Sequence, residues 1–280
     1  MITLAIASGK GGTAKTTTVR TLASVLAAKG LRVLAVDFDP QASLSAMFGI
    51  RNASPNVADV IGGAKPGSAS LSSILRSHSP ILAVAPSGRE LAASELGLVS
   101  RMGREQALKR VLASVADRFD VALIDTPPGL TLALTNALVA AQGVIVPIQP
   151  LQTDIDALAG FMQTITEIRE INPALQMLGV LLTFYDDRLN HHRESVEFIR
   201  EAGLPLFDAR IGRSVRVADA VANGQSITEA DAPAIQRAFD LLSAESRYNR
   251  FLQHKKHLDP AALERGVHPV SYTHLTLPTN

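Results

Sequence analysis

Short apolar runs alternate with stretches whose apolar residues recur every three or four positions, from the first residues to about position 245. Most of the apolar runs lack polar alternation, which is typical of strands buried on both faces of a parallel sheet. The pattern predicts an α/β fold, a doubly wound and mostly parallel sheet flanked by helices, with ligands at the carboxyl ends of the strands. The predicted strands are 3–7, 32–37, 81–85, 121–125, 143–148, 178–183 and 204–207, and the predicted helices are 15–29, 104–118, 131–141, 154–171, 191–202, 214–223 and 233–245.

Two segments depart from this alternation. Residues 52–73 are rich in Ala, Gly, Ser and Pro, and we interpret them as a surface excursion before the third strand. The chain changes character again near its end, so we predict one domain over residues 1–247 and a tail over 248–280. Within that tail, residues 270–280 have no helical period, and we interpret them as non-native sequence, either translated vector or adaptor or out-of-frame read-through.

Composition limits the class of protein. At 280 residues, 46% of them apolar, the chain can bury the core of one large α/β domain. Its apolar runs are far too short to span a bilayer, and the first one lacks the charged region that precedes a signal peptide core. We therefore expect a cytoplasmic protein. The net charge of +1 predicts no general attraction to nucleic acid, so any DNA-binding surface must be a local patch.

The most informative local pattern is S-G-K-G-G-T-A-K-T-T at residues 8–17, between an apolar run and a helical pattern. This is the context of a phosphate-binding loop, in which backbone N–H groups and a helix N-terminus face phosphate oxygens. The spacing fits G-x-x-x-x-G-K-[ST], except that Ala14 replaces the last glycine. We expect Lys15 on the β- and γ-phosphates of ATP and the Thr16 hydroxyl on Mg²⁺. The predicted nucleotide-binding residues are Gly11, Gly12, Thr13, Ala14, Lys15, Thr16 and Thr17.

A second lysine, Lys10, stands at the start of this loop. A lysine there cannot easily reach the γ-phosphate bound to its own chain. Its position therefore suggests a charge offered to a neighbouring subunit.

Carboxylates follow two of the predicted strands. Asp37 and Asp39 lie at i and i+2 where the second strand ends, and Asp125 ends the apolar run at 121–125. An acid at the end of a buried strand is the Walker B pattern, in which it holds Mg²⁺ through water. The alternatives are an Asp-Pro turn for the first pair and a helix N-cap for Asp125.

The loop K-G-G-x-x-K-T at residues 10–16 resembles the deviant Walker A box of the ParA/MinD family of dimerising ATPases. The strings D-x-D-P-Q at 37–41 and I-D-T-P-P-G at 124–129 resemble that family's second signature and switch region, and the similarity covers roughly residues 2–245. The resemblance implies that Asp37 supports the Mg²⁺ shell, that Asp39 positions or activates the attacking water, and that Lys10 reaches the phosphates of a partner subunit. Because the chain has no cysteine, relatives that hold iron–sulfur clusters or metalloids through thiolates are excluded.

Within that family, D-x-D-P-Q and the P-S-x-x-x-L-x-x-x-E segment at 86–95 are closer to ParA than to MinD. The resemblance implies a partition ATPase for plasmid or chromosome DNA, working as an ATP-dependent homodimer that binds non-specific DNA of the nucleoid. Slow hydrolysis, stimulated by a ParB-like or other centromere-binding partner, would release it. The predicted DNA contacts are Arg210, Arg213 and Arg216, in the region where ParA proteins carry an arginine for DNA.

Three further expectations concern alternatives. Because the chain begins at its first strand, no helix-turn-helix module and no sequence-specific operator binding are expected. A MinD-like membrane ATPase would need a C-terminal amphipathic helix, of which residues 248–258 give only a faint version, so no stable membrane association is expected. A biosynthetic ligase with the same loop would need a substrate pocket or a glutaminase domain, and no motif marks either.

Overall fold

A computed structural model describes residues 1–62 and 69–214 of the chain. The predicted helices at 214–223 and 233–245 and the tail over 248–280 lie outside the described residues.

The described residues build an eight-stranded sheet in the order β3-β4-β2-β5-β1-β6-β7-β8. The neighbouring strands are parallel except for the β3–β4 pair, which is antiparallel. The predicted fold class is therefore confirmed. The strands are β1 (Ile2–Ile6), β2 (Val33–Asp37), β3 (Arg76–Ser79), β4 (Leu82–Ala85), β5 (Val121–Asp125), β6 (Gly143–Ile148), β7 (Gln176–Thr183) and β8 (Leu206–Ile211).

Helices cover both faces of this sheet, and a separate apolar core fills each interface. Along β1, Leu4 and Ile6 pack into one core and Ala5 into the other, as the alternation of side chains along a strand requires. The helices are α1 (Lys15–Ala28), α2 (Ser43–Met47), α3 (Val57–Ile61), α4 (Leu71–Ile74), α5 (Glu90–Leu98), α6 (Ala107–Ala113), α7 (Leu132–Ala140), α8 (Gln152–Ile171) and α9 (Asn190–Glu201), with a 3₁₀ turn at Arg104–Gln106.

The interpretation of residues 52–73 as a surface excursion is wrong. The described residues of this segment include α3 and the start of α4. Its apolar side chains that are buried in the core include Val57, Val60, Ile61 and Leu71. Asn56 begins α3 with a capping box, since its side chain accepts a hydrogen bond from Ala58 N and its own N–H donates to Asp59. Helices of four or five residues are too short to produce a visible period, so the sequence pattern missed them.

Strand register brings the predicted site residues to one edge of the sheet. Asp125 pairs with Ile6 on one side and with Asp37 on the other, so the carboxyl ends of β1, β2 and β5 lie together. The glycine-rich loop leaves β1 at this edge, immediately beside both acids. A ligand held by that loop therefore also faces the carboxylates that follow β2 and β5.

Candidate nucleotide site

The loop between β1 and α1 is bent by two residues with positive φ. Gly12 has φ 76° and Ala14, which caps the N-terminus of α1, has φ 64° and ψ 29°. Glycine adopts this left-handed conformation freely, whereas alanine does so at a cost of roughly 1–2 kcal/mol. The position that departs from the glycine pattern is therefore one where the backbone favours glycine, and the chain adopts the same bend with an alanine.

Residues at the carboxyl ends of β6 and β7 form hydrogen bonds with the loop. Gln149 Nε2 donates to the Gly12 carbonyl at 2.9 Å, and Thr183 Oγ1 donates to the Thr13 carbonyl at 3.2 Å. Within the loop, the hydroxyls of Ser8 and Thr13 are 2.8 Å apart. The bonds from Gln149 and Thr183 engage two carbonyl oxygens of the loop with the framework of the sheet and so hold the loop in one conformation.

Lys15 carries its charge into the loop. Its side chain is only 7% exposed, and Nζ donates to the Lys10 carbonyl at 2.8 Å. Burial lowers the pKa of Lys15, while the nearby charges of Asp125 and Asp39 oppose that change. The ammonium therefore lies between the loop and the acids, where it can contact a phosphate.

Asp125 is fully buried at the end of β5, and in the part of the chain that the structure describes neither of its carboxylate oxygens has a regular hydrogen bond. Burial raises its pKa well above the usual value, and Asp37 raises it further, while the Thr16 hydroxyl and Lys15 lower it. A buried carboxylate without partners is costly unless a cation compensates it. This environment favours a bound cation beside Asp125 and Thr16.

Asp37 is also fully buried, but its oxygens are occupied. Oδ2 accepts from both the N–H and the hydroxyl of Ser45 at 2.7 and 2.6 Å, and Oδ1 accepts from Asp39 N at 3.3 Å. Ser87 N donates in turn to the Ser45 hydroxyl at 3.0 Å. Asp37 thus holds the start of α2 and the turn that carries Asp39. The role of Asp37 in supporting Mg²⁺ stays a prediction. Its structural role was not indicated by the sequence pattern.

Asp39 lies in that turn and is 9% exposed. Its Oδ1 accepts from Gln41 N at 2.9 Å, which is the Asx-turn geometry expected of an Asp-Pro sequence. The same carboxylate acts on the charge of Lys15. Asp39 is therefore held close to the phosphate loop, as its predicted role requires.

The chain is similar in sequence to several known proteins. A family described as AAA domain matches residues 1–177. The chromosome-partitioning ATPase Soj of Treponema pallidum is 34% identical over 248 residues, which cover 87% of this chain and 96% of that protein. The chromosome partitioning protein ParA of Caulobacter vibrioides is 35% identical over 230 residues, with coverages of 80% and 85%. The chain belongs to the ParA/MinD family of ATPases.

A solved structure of similar fold identifies the ligands of this ParA/MinD site. Cobyrinic acid a,c-diamide synthase from Mycobacterium smegmatis, crystallised with an ATP analog and magnesium, superposes with a TM-score of 0.76 at 33% identity and coverages of 91% and 96%. ATP and Mg²⁺ are therefore the cofactors, as predicted. The partnerless oxygens of Asp125 beside the Thr16 hydroxyl fit a cation of this kind.

The predicted DNA contacts are placed only in part. The guanidinium of Arg210 lies 4.6 Å from the centre of the Tyr185 ring, and that of Arg213 lies 5.7 Å from the centre of the Phe184 ring. Arg210 is half-buried and Arg213 is exposed, whereas Arg216 lies outside the described residues. Of the two described arginines, Arg213 is thus the more accessible to a phosphate, and the DNA-contact assignment stays a prediction.

Several residues that build the site were not predicted from the sequence. Gln149 and Thr183 lay within strings assigned to strands, and Ser45 was assigned to no element. Ser87 appeared only as the serine of the P-S-x-x-x-L-x-x-x-E segment, and Asp154 only as the start of a helical pattern. None of the motif spacings connects these positions to the loop.

The pKa of Asp37 leads to a prediction of pH-dependent stability. Burial raises this pKa from 3.8 to about 6, although the hydrogen bonds of Ser45 and Asp39 lower it. Between these values the folded protein keeps a proton that the unfolded chain loses, so the stabilising contribution declines as pH rises through this window, by roughly 3 kcal/mol in all. The Asp37→Asn protein lacks this decline. Its free energy of unfolding relative to wild type should therefore rise by that amount between about pH 4 and pH 7.

Urea denaturation of the nucleotide-free protein across that pH range measures this difference. Exposed Asp117 provides the matched control, since Asp117→Asn should leave the pH profile unchanged. Parallel wild-type and Asp37→Asn profiles would show that folding does not raise the pKa of Asp37.

Proposed function

We propose that this protein is a ParA-type partition ATPase that dimerises with ATP, binds non-specific DNA in that state and releases it after hydrolysis. The observation that carries the proposal is the pair of lysines in the phosphate loop. Lys15 is buried at the loop's centre, whereas the side chain of Lys10 is 42% exposed at its edge. This difference in exposure supports a role for Lys15 at the nucleotide of its own chain and for Lys10 at that of a second subunit.

In this mechanism Lys15 and the loop N–H groups would bind the phosphates. Thr16 and Asp125 would hold Mg²⁺, which would neutralise phosphate charge. Asp39 orients the attacking water, and Asp37 fixes the turn that carries Asp39. Lys10 of each subunit contacts the phosphates held by the other. In this scheme ATP binding and hydrolysis control how long the dimer persists, and no second substrate is phosphorylated.

Partition also requires a DNA surface and a partner. We assign the surface to Arg210, Arg213 and Arg216, and propose that dimer formation completes it. Arginine binds DNA phosphates without reading sequence, which suits a protein that must hold any region of the nucleoid. A ParB-like or other centromere-binding partner then accelerates hydrolysis and opens the dimer. The relatives named Soj and ParA support this assignment.

Binding to random-sequence duplex DNA, with ATP or ADP across a salt series, tests the proposal. We expect tight binding only with ATP, with an affinity that falls steeply as salt rises, since released counterions dominate non-specific binding. Binding that is equal in ATP and ADP would contradict the switch. No binding in either state, with ATP-dependent dimers still forming, would contradict the DNA role alone.

Exposed Arg213 provides the sharper test of the surface. The Arg213→Ala protein should bind DNA several-fold more weakly at moderate salt, and the slope of affinity against salt should fall by about one for each DNA phosphate that is no longer neutralised. ATP affinity should not change. Arg101→Ala removes an exposed arginine from another part of the chain and is the control. If both variants bind DNA like wild type, the DNA surface does not include Arg213.

The Mycobacterium smegmatis neighbour supports a second candidate, a ligase that amidates a carboxylate substrate with ATP. Such an enzyme would consume ATP in proportion to product only when substrate and a nitrogen donor are present. ATP turnover with and without cobyrinic acid and glutamine distinguishes the two functions. The partition function predicts that DNA together with the centromere-binding partner stimulates ATP turnover, and that these metabolites do not.

Among the described residues, no helix is both long and apolar enough to cross a membrane.

A further inference from the structure

Lys10, which the proposed dimer needs at the partner's phosphates, is bound inside its own chain. Its Nζ donates to Asp154 Oδ1 at 2.7 Å and to Thr153 Oγ1 at 2.6 Å. The Asp154 side chain is 3% exposed, whereas that of Lys10 is 42% exposed. The ion pair therefore joins a buried carboxylate to an ammonium that solvent, or another subunit, can reach.

The carboxylate of this pair cannot follow the lysine. Asp154 lies in the first turn of α8, a helix of 20 residues, where the helix dipole favours a negative charge. Its second oxygen accepts from Gln149 N at 3.0 Å, and the Gln149 side chain bonds to the Gly12 carbonyl of the phosphate loop. Asp154 is thus fixed to the same framework as the loop. If Lys10 moves towards another subunit, the ion pair breaks.

We propose that Asp154 is a positioning residue that restrains Lys10 in the monomer and so sets the threshold for ATP-dependent dimerisation. This proposal rests on the dimer switch proposed above. Breaking the pair leaves a buried carboxylate without its cation, which is unfavourable. The loss is offset only when the partner's nucleotide presents enough negative charge to Lys10. A triphosphate presents more charge than a diphosphate, so the restraint makes the monomer selective for the ATP state.

Asp154→Asn is the variant that separates the restraint from the fold. The amide has the same shape and keeps an oxygen for Gln149 N, but it loses the charge that attracts Lys10. We expect the variant to dimerise with a non-hydrolysable ATP analogue at an at least roughly tenfold lower protein concentration than wild type, because each of the two subunits loses a hydrogen bond between charged groups from its monomer alone. Thr153→Ala, which removes the second acceptor from an exposed position, should give a smaller shift of roughly threefold.

Asp156→Asn is the matched control. This exposed residue lies two positions along α8 and accepts a hydrogen bond from Gln152 instead of Lys10. It should dimerise like wild type. The double variant Lys10→Ala with Asp154→Asn should dimerise no more readily than Lys10→Ala alone, because no lysine remains to be released. Reactivity of Lys10 towards an amine reagent in the nucleotide-free monomer gives a second readout, which should rise in Asp154→Asn, less in Thr153→Ala, and not in Asp156→Asn.

Sedimentation across a protein concentration series, with the analogue and with ADP, decides between the outcomes. Dimerisation of Asp154→Asn and Thr153→Ala at lower protein concentrations than wild type, together with a more reactive Lys10, would support the restraint. A wild-type protein that dimerises while both variants match it would overturn the restraint and leave the dimer switch intact. Weaker dimerisation of a folded Asp154→Asn protein would also overturn it, since Asp154 would then support the dimer. A wild type that binds the analogue but stays monomeric would overturn the dimer switch itself and the restraint with it.

Discussion

Replacing Lys15 by alanine is expected to abolish ATP binding, with an affinity at least about 100-fold weaker than that of wild type. Lys15 is the buried cation of the phosphate loop, 7% exposed, with Asp125 and Asp39 acting on its charge. Without it the triphosphate would approach two buried or nearly buried acids with no compensating charge from the loop. Removing one partner of a buried charge pair costs about 3–5 kcal/mol, which corresponds to roughly two to four orders of magnitude in affinity.

Titration calorimetry with ATP and Mg²⁺ measures this loss. Lys109→Ala removes an exposed lysine from α6 and should bind ATP normally. Circular dichroism must show that the Lys15→Ala protein is folded, which we expect because its ammonium bonds only to the Lys10 carbonyl among the protein hydrogen bonds of the described residues. Retained ATP affinity in a folded Lys15→Ala protein would disprove the assignment of the phosphate loop.

The parts of this site that are continuous in sequence could be predicted from it. The loop at 8–17 lies between β1 and α1 as expected, and the acids at 37 and 125 end their strands. Even the unusual Ala14 could be recognised as a position where glycine is normally required, and its φ of 64° explains why. Local strings carry this information because backbone bends and strand ends depend mainly on neighbouring residues.

The supports of the loop could not be predicted in the same way. Gln149 contacts Gly12 across 137 positions of sequence, and Thr183 contacts Thr13 across 170. These contacts exist because the sheet places β6 and then β7 beside β1, which is a property of strand order. Polar edge strand β3 was missed for a related reason. Its residues Arg76–Ser79 lack an apolar face, and it is a strand only because β4 pairs with it.

Lys10 shows how the two kinds of information combine. Its place in the loop predicted a charge offered to another subunit, and no local pattern indicated that Asp154 holds that charge in the monomer. The ion pair does not contradict the predicted role, because a lysine that must act between subunits has to be held somewhere before they meet. It adds a step that the sequence could not show, namely the release of Lys10 from α8.

Replacing Asp39 by alanine is expected to lower ATP turnover by at least about 100-fold while ATP binding and dimerisation persist. A positioned carboxylate that orients or deprotonates water typically contributes a factor of 10²–10⁴. Asp39 lies in the turn that Asp37 fixes, and the bond from Gln41 N to its Oδ1 sets its orientation. Since hydrolysis opens the proposed dimer, the variant should remain dimeric with ordinary ATP and should stay bound to DNA.

Asp39→Asn makes this test specific for charge. The asparagine keeps an acceptor for Gln41 N, so the turn should survive, and turnover should still fall nearly as far as in Asp39→Ala. A phosphate-release assay, run beside sedimentation with ATP, measures both consequences. Normal turnover in both variants would remove Asp39 from the chemistry. Lost turnover in the alanine protein alone would instead mean that Asp39 acts by shaping the turn, because the neutral amide would then be sufficient.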